Sequence, residues 1–209
     1  MLIPRIFHII WVGPEKFPKE YLKYRHSWLA HNPSWKLMFW TDKNIPKLLN
    51  QAVYDKMETY AGKADILRLE LLYTYGGVYS DADSECLKNI EPLIKDLTAF
   101  GMTGNGGNIA NGTLGCVQNH LSFKTLVQNL LAHIKEVRSR DSHTIYDLAG
   151  TNYITPILRK DSSFLQIDAG TKLKAGRELI CRSDERTSKT YIIHYNKKSW
   201  TKPKGRVKK

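Results

Sequence analysis

The sequence predicts an α/β fold in which a mainly parallel central sheet is flanked by helices. Two observations carry this prediction: a continuous apolar run near the N-terminus, and an alternation of strand-like and helix-like segments through residues 1–60. Such alternation is typical of parallel sheets, because helices join their successive strands. The chain has 209 residues, of which 42% are hydrophobic, so it is long enough for one compact domain with a sizeable core.

The first strand is predicted at residues 6–11, where the apolar run ends in Val-Gly-Pro. An unbroken apolar run fits a strand that is buried on both faces of the sheet. Ligands of open α/β sheets bind at the carboxyl ends of the strands. Trp11 therefore stands where a ligand is expected, although core packing is an equally good explanation for a tryptophan.

The next elements continue the alternation. Residues 18–31 predict an amphipathic helix, and residues 35–40 predict a second strand. Thr41 and Asp42 are typical of a helix cap, so a further helix is expected to extend to about Tyr60.

The central stretch joins a helix to a strand that ends in paired carboxylates. Residues 64–75 are strong helix formers with apolar residues at helical spacing. Gly76 ends the helix, because glycine accepts the left-handed conformation found just past a helix C-terminus. A short strand then begins at Gly77 and leads to Asp81 and Asp83, which can aim at one divalent cation. A polar turn without a metal is the alternative.

A second polar pair lies on the same helix. Asp65 and Arg68 are three residues apart and therefore share one helical face. A surface ion pair of little energetic weight is one interpretation. Participation in a ligand site beside the aspartates is the other.

The second half of the chain adds further elements. Strands are expected near residues 99–102 and 109–117, and an amphipathic helix is expected at residues 121–137. Residues 191–195 predict a last strand, which carries His194. A lone histidine at a strand end is more often structural than a ligand, but beside two aspartates it becomes a candidate metal ligand.

The positive charge is concentrated near the C-terminus. Residues 170–209 hold thirteen Lys or Arg against three Asp or Glu, which is +10 of the formal net charge of +12. We expect one domain at residues 1–200 and a basic tail at residues 201–209. The tail would be drawn to an anionic membrane surface or to DNA, or it would be solvated without a partner.

Cysteine use and hydropathy indicate the compartment. The three cysteines, Cys86, Cys116 and Cys181, are odd in number and widely spaced, which fits neither a disulfide framework nor a zinc site. No apolar run approaches the roughly 20 residues that span a bilayer. The expected location is the cytoplasm, with peripheral attachment to a membrane as an open alternative.

The central motifs resemble a known family. Residues 64–68 (ADILR), 72–79 (LYTYGGVY) and 81–83 (DAD) resemble the sugar-binding region of DXD-containing glycosyltransferases. That family includes yeast-type α-mannosyltransferases and bacterial capsular polysaccharide enzymes, and its core is similar to that of the large clostridial glucosylating toxins. The resemblance implies a GT-A fold and a single catalytic domain. It also implies sugar transfer from a UDP- or GDP-sugar to a hydroxyl, with retention, onto a cell-surface or lipid-linked glycan.

The resemblance also assigns roles to residues. Those implied to bind the donor are Ile9, Trp11, Gly13, Asp65, Arg68, Asn111 and Trp200. Those implied to be catalytic are Asp65, Arg68, Asp81 and Asp83. Asp83, His194 and Asp81 are implied to hold Mn²⁺ or Mg²⁺, and the histidine favours Mn²⁺. The chain departs from the family on the acceptor side, where Thr151 and Asn152 replace an expected Gly-Pro.

Three other functions stay open at this level. A glycosyltransferase acting on hydroxylated bases in DNA would use the basic tail along the phosphate backbone. A non-catalytic, basic nucleic-acid-binding protein would use the same charge, although no nucleic-acid-binding motif is present. A metal-dependent phosphohydrolase would use the two aspartates, but a two-metal site needs a denser cluster of ligands.

Overall fold

In the computed structural model of the protein, the described residues are 2–140, 142–167, 180–181, 188 and 190–197. The predicted basic tail at residues 201–209 and the predicted donor-binding residue Trp200 lie outside them. None of the described helices combines the length and apolar character needed to cross a membrane.

Up to residue 55 strands and helices alternate, as predicted for residues 1–60, and farther along the chain elements of the same kind also follow one another. In chain order they are β1 Ile6–Ile10, α1 Tyr21–His31, β2 Lys36–Trp40, α2 Gln51–Asp55, α3 Tyr60–Tyr75, β3 Gly77–Ser80, β4 Ser84–Cys86, α4 Glu91–Ile94, β5 Ala99–Thr103, β6 Ile109–Cys116, α5 Leu121–Arg138, α6 Ile145–Leu148, α7 Thr151–Leu158, β7 Phe164–Ile167, β8 Ile180–Cys181 and β9 Ile192–His194.

The central sheet has six strands in the order β2-β1-β3-β6-β5-β7. Strand β6 runs antiparallel to both of its neighbours, and every other neighbouring pair is parallel. The carboxyl ends of β1, β2, β3, β5 and β7 therefore share one edge with the amino end of β6. A second sheet has the order β4-β9-β8. The predicted mainly parallel α/β fold is confirmed.

Buried side chains cover both faces of the central sheet. On one face, helices α3 and α5 pack against it around Leu69, Phe123 and Leu114. On the other face, Trp28 of α1 packs with Phe7 of β1 and with the small sheet. The indole N–H of Trp28 also donates to the Ser84 carbonyl at 3.1 Å, which ties α1 to β4.

Helix α3 begins four residues earlier than the propensities predicted. Its N-cap is Thr59, whose side-chain oxygen accepts a hydrogen bond from the Gly62 N–H at 3.1 Å. The helix ends at Gly76, which has φ +63° and donates its N–H to the Leu72 carbonyl. The predicted stop at this glycine is therefore confirmed.

The predicted helix from Thr41 to about Tyr60 is wrong for most of its length. Within that segment only α2, of five residues, is helical before α3 begins. The Asn44 side chain accepts from the Thr41 N–H at 2.7 Å and donates to the Phe39 carbonyl at 2.9 Å. These bonds replace helical ones, and Pro46 disfavours a helix at the residue before it.

His8 fixes the junction between β1, β2 and the turn after α3. Its Nδ1 lies 3.0 Å from the indole nitrogen of Trp40, and its Nε2 lies 2.8 Å from the Gly76 carbonyl oxygen. The neutral imidazole can satisfy both contacts, since one nitrogen accepts and the other donates. Burial lowers the pKa of His8 to about 4, despite the opposing effect of the Gly76 carbonyl.

Candidate active site

The two aspartates lie just past β3, at the edge where most strands end. The backbone N–H of Asp81 donates to the Gly112 carbonyl at 2.8 Å, which holds the end of β3 against β6. The N–H of Ser84 donates to the Asp81 carbonyl at 3.0 Å and closes a turn. This turn brings the Asp83 side chain back towards Asp81.

His194 completes a group of three potential ligands. Strands β4 and β9 pair so that Ser84 lies opposite His194, directly beside the turn. The Nε2 atom of His194 is 3.1 Å from Asp83 Oδ1 and 3.4 Å from Asp81 Oδ2. One ligand atom from each of the three residues lies within 4.8 Å of the others. Residues more than a hundred positions apart thus converge on one point.

Within this group, each charged side chain stabilises the charged form of its neighbour. Burial disfavours the charged form of His194, but the hydrogen bond to Asp83 and the charges of Asp81 and Asp83 raise its pKa above the ordinary value. Burial likewise opposes ionisation of Asp83, yet hydrogen bonds from His194 and from the Lys197 backbone N–H at 2.6 Å lower its pKa. Asp83 is therefore a carboxylate at neutral pH, as a metal ligand must be.

Asp65 and Arg68 form a buried ion pair rather than a surface pair. Arg68 Nη2 is 2.8 Å from Asp65 Oδ1, and only 7% and 10% of the two side chains is exposed. The amide of Asn111 donates to the same Asp65 oxygen at 2.9 Å, and Arg68 donates to the Asn111 carbonyl. Burial raises the pKa of Asp65 to about 6, although Arg68 and Asn111 act against it. The interpretation as a surface pair is wrong.

Tyr79 joins the buried pair to the aspartates. Its hydroxyl donates to Asp81 Oδ1 at 2.6 Å, and its ring lies 4.4 Å from the Arg68 guanidinium. Arg68 Nη1 is also 3.6 Å from Asp81 Oδ1. Sequence reasoning did not select Tyr79, although its position two residues before Asp81 on an extended segment was a usable signal.

Trp11 and Gly13 lie past the end of β1, and Ile9 lies within it. The Trp11 indole donates to the Glu15 carbonyl at 2.7 Å and meets the Phe17 ring edge-on at a centroid distance of 5.4 Å. Gly13 has φ +106° and donates its N–H to Asp42 at 2.7 Å. Ile9 is 1% exposed and packs in the core, so this structure does not place it at a surface that a ligand contacts.

Gly112 is a further site residue that sequence reasoning missed. It is buried in β6, where a side-chain carbon would lie 2.9 Å from Asp81 Oδ2 and 3.0 Å from His194 Cε1. A glycine inside a strand often marks a close approach of another group, which was the available signal. In the segment predicted to lie on the acceptor side, Asn152 donates to Asp147 Oδ1 at 2.7 Å and so contributes to the structure around α6.

The sequence matches a family model over residues 18–99, described as the glycosyltransferase sugar-binding region containing the DXD motif. An uncharacterized glycosyltransferase of Acanthamoeba polyphaga mimivirus is 32% identical over 72% of this chain and 62% of its own length. Inositol phosphoceramide mannosyltransferase 3 of Schizosaccharomyces pombe is 29% identical over 61% of this chain and 37% of its own length. The chain thus spans less than two thirds of each of these relatives.

Solved structures share the fold. The PaToxG glycosyltransferase aligns with a TM-score of 0.59 at 17% identity, over 76% of this chain and 68% of its own. The UDP-bound glycosyltransferase domain of the YGT toxin aligns with 0.59 at 10% identity, over 79% of each chain. A glycosyltransferase involved in glycosylating the major capsid of PBCV-1 aligns with 0.52 at 14% identity, over 94% of this chain and 95% of its own. The fold is therefore of the GT-A type.

Proposed function

Because the chain belongs to the DXD-containing glycosyltransferases, we propose that it transfers a sugar from a UDP- or GDP-sugar to a hydroxyl acceptor in a metal-dependent reaction. The observation that carries this proposal is the convergence of Asp81, Asp83 and His194 beside the buried pair of Asp65 and Arg68. The two aspartates and the histidine suit a cation that binds the diphosphate of the donor. The buried pair suits the hydroxyls of a sugar.

The three converging residues fit a divalent cation by their chemistry. Two carboxylates and an imidazole are oxygen and nitrogen donors that suit Mn²⁺, and Mg²⁺ is the alternative. A cation held there would act as a Lewis acid that stabilises the charge developing on the leaving diphosphate. Asp81 and His194 are each about a quarter exposed at their side chains, so the site is open to a ligand.

The buried pair would position the donor sugar. The contacts that Asp65 makes with Arg68 and Asn111 both fall on Oδ1, so Oδ2 can accept a hydrogen bond from a hydroxyl. Most N–H groups of Arg68 already have partners within the protein. Its Nε donates to the Ala64 carbonyl, and its Nη2 binds Asp65. Its Nη1 faces the Asn111 carbonyl and Asp81. These contacts leave about one of its five N–H groups for a sugar. Arg68 would therefore act mainly by holding Asp65 and Asp81 in place.

We propose retention of the anomeric configuration, in line with the family resemblance. Asp65 is the most deeply buried of the site carboxylates, but its Oδ1 is bound by Arg68 and Asn111. That arrangement favours a hydrogen-bonding role over a covalent nucleophile. We therefore propose a same-face displacement, in which the leaving phosphate accepts the proton of the acceptor hydroxyl.

For the acceptor, we propose a lipid-linked or cell-surface glycan. The support is the name of one relative, inositol phosphoceramide mannosyltransferase 3. The alternatives that involve DNA depend on basic residues in the segment 170–209, most of which lie outside the described residues. No contact among the described residues favours them.

The test is a panel of UDP- and GDP-sugars assayed for release of the nucleoside diphosphate, with and without Mn²⁺. Asp83→Ala is compared with Asp96→Ala, which changes an aspartate whose side chain is 71% exposed. We expect metal-dependent turnover that Asp83→Ala abolishes and Asp96→Ala preserves. Turnover of equal rate with and without Mn²⁺ would contradict the proposed metal dependence. Release of phosphate from a simple phosphate ester would favour the phosphohydrolase instead.

A further inference from the structure

Gly112 lies between two of the candidate metal ligands. It is buried in β6, and a carbon added at its Cβ position would lie 2.9 Å from Asp81 Oδ2, 3.0 Å from His194 Cε1 and 3.2 Å from His194 Nδ1. Real Cβ atoms essentially never approach other atoms below 3.0 Å. Any side chain at this position must therefore move Asp81, His194 or the strand itself.

The backbone of Gly112 is held on its β3 side and at both of its chain neighbours, whereas the pairing of β6 with β5 shifts register between Ala110 and Leu114. Its carbonyl accepts the Asp81 N–H at 2.8 Å, and the next residue, Thr113, pairs with Ser80 in the register of β3 and β6. The preceding residue, Asn111, bonds Asp65 through its side chain and Arg68 through its carbonyl. A shift of the strand would break these contacts, so the displacement caused by a side chain would fall on the two ligands.

The Asp81 ligand is also constrained from its other side. Its Oδ1 accepts from the Tyr79 hydroxyl at 2.6 Å and lies 3.6 Å from Arg68. The carboxylate is thus held between Tyr79 and Gly112, and only Oδ2 faces His194. Moving Oδ2 away from an added carbon would disturb the arrangement that fixes Oδ1.

We propose that Gly112 is a positioning residue that sets the separation of Asp81 and His194 on the cation. The inference rests on the proposed metal dependence. Protein oxygen and nitrogen ligands bind Mg²⁺ and similar cations at roughly 2.0–2.2 Å, so a displacement of a few tenths of an ångström costs affinity. Changes to residues that orient metal ligands typically cost about 10- to 100-fold in metal affinity. Gly112→Ala is expected to fall in that range.

The experiment measures binding of Mn²⁺ to the purified chain by loss of the free-ion electron paramagnetic resonance signal, with and without added UDP or GDP. The matched control is Gly115→Ala on the same strand, where the added carbon would meet the Phe100 ring in the core. Thermal unfolding of each variant separates loss of stability from loss of the ion. Gly112→Ala should weaken Mn²⁺ binding about 10- to 100-fold, whereas folded Gly115→Ala should lose stability but keep the wild-type affinity.

The outcomes separate the two proposals. If the wild-type chain binds no Mn²⁺ under any of these conditions, the proposed metal dependence fails and the role of Gly112 fails with it. If the wild-type chain binds Mn²⁺ and Gly112→Ala binds it equally well, only the role of Gly112 is overturned. If Gly112→Ala does not fold, adding Asp81→Ala together with His194→Ala should restore folding, because these changes remove the two side chains that the new carbon meets. Failure of that rescue would also overturn the inference.

Discussion

The hydroxyl of Tyr79 donates a 2.6 Å hydrogen bond to Oδ1 of Asp81, and the other oxygen of that carboxylate faces His194. One oxygen of the Asp81 carboxylate is thus bound by a buried phenol, and the other is directed at the candidate metal site. Burial raises the pKa of Tyr79 well above its ordinary value, with the Asp81 charge adding to the effect, so the phenol remains a donor at neutral pH. This relationship links the core to the site.

Replacing Tyr79 by phenylalanine should weaken the site without removing a ligand. The loss of the bond to Asp81 frees the carboxylate to rotate, so Mn²⁺ affinity should fall by about tenfold, the lower end of the range for orienting residues. The control is Tyr54→Phe, because the buried Tyr54 hydroxyl has no hydrogen-bond partner within the described part of the chain. Equal Mn²⁺ affinities for the two variants would contradict the orienting role of Tyr79.

Breaking the buried ion pair should cost far more stability than breaking a surface pair. Arg68→Met leaves the buried Asp65 without its cation, and such a loss typically costs about 3–5 kcal/mol in the free energy of unfolding. Arg140→Ala, which removes an exposed pair with Glu136, should cost less than about 1 kcal/mol. Denaturant unfolding measures both.

A double variant of Asp65 and Arg68 tests whether the unpaired Asp65 carboxylate causes the loss of stability. In the double variant Asp65→Asn, Arg68→Met, no uncompensated charge remains at residue 65, so most of the stability lost in Arg68→Met should return. If the double variant is as unstable as Arg68→Met, the loss comes from packing and not from the unpaired carboxylate.

His8 should make stability depend on pH between about 4 and 6.5. Its pKa is about 4 in the folded chain and 6.5 ordinarily, so the unfolded state binds a proton first as the pH falls. The stabilisation is complete above about pH 6.5 and is lost as the pH falls towards 4, by about 3 kcal/mol in total. Unfolding free energies at a series of pH values should reveal this slope.

The comparison for that measurement is His8→Gln, which cannot titrate in this range. Its amide can still donate to the Gly76 carbonyl, but it leaves the Trp40 indole without the His8 acceptor, at a cost of about 1–3 kcal/mol. The variant should therefore be less stable at pH 7 and should have a shallower slope. Identical slopes would show that other groups cause the pH dependence.

The N-cap of α3 should contribute less to the free energy of unfolding than the buried ion pair or His8 does. Thr59→Ala removes the acceptor for the Gly62 N–H, which should lower the free energy of unfolding by about 1 kcal/mol. Thr59→Ser keeps the hydroxyl oxygen and should be close to the wild type. A serine variant as unstable as the alanine variant would point to the lost methyl group instead.

Local signals predicted the parts of the fold that depend on neighbouring residues. The stop at Gly76 and the strand that leads to Asp81 and Asp83 follow from glycine conformation and hydrophobic pattern within a few positions. The segment after Thr41 was mispredicted because the side-chain bonds of Asn44 compete with a helix, and propensity does not record such bonds.

The sequence by itself determined the α/β alternation, the resemblance to DXD glycosyltransferases and the residue types that can hold a cation. Only the tertiary structure decided that Asp65 and Arg68 are buried and that Tyr79 and Gly112 fix the Asp81 carboxylate. The physical reason is distance along the chain. β6 and β9 bring Asn111, Gly112 and His194 to residues on α3 and beyond β3, and no local pattern records such contacts.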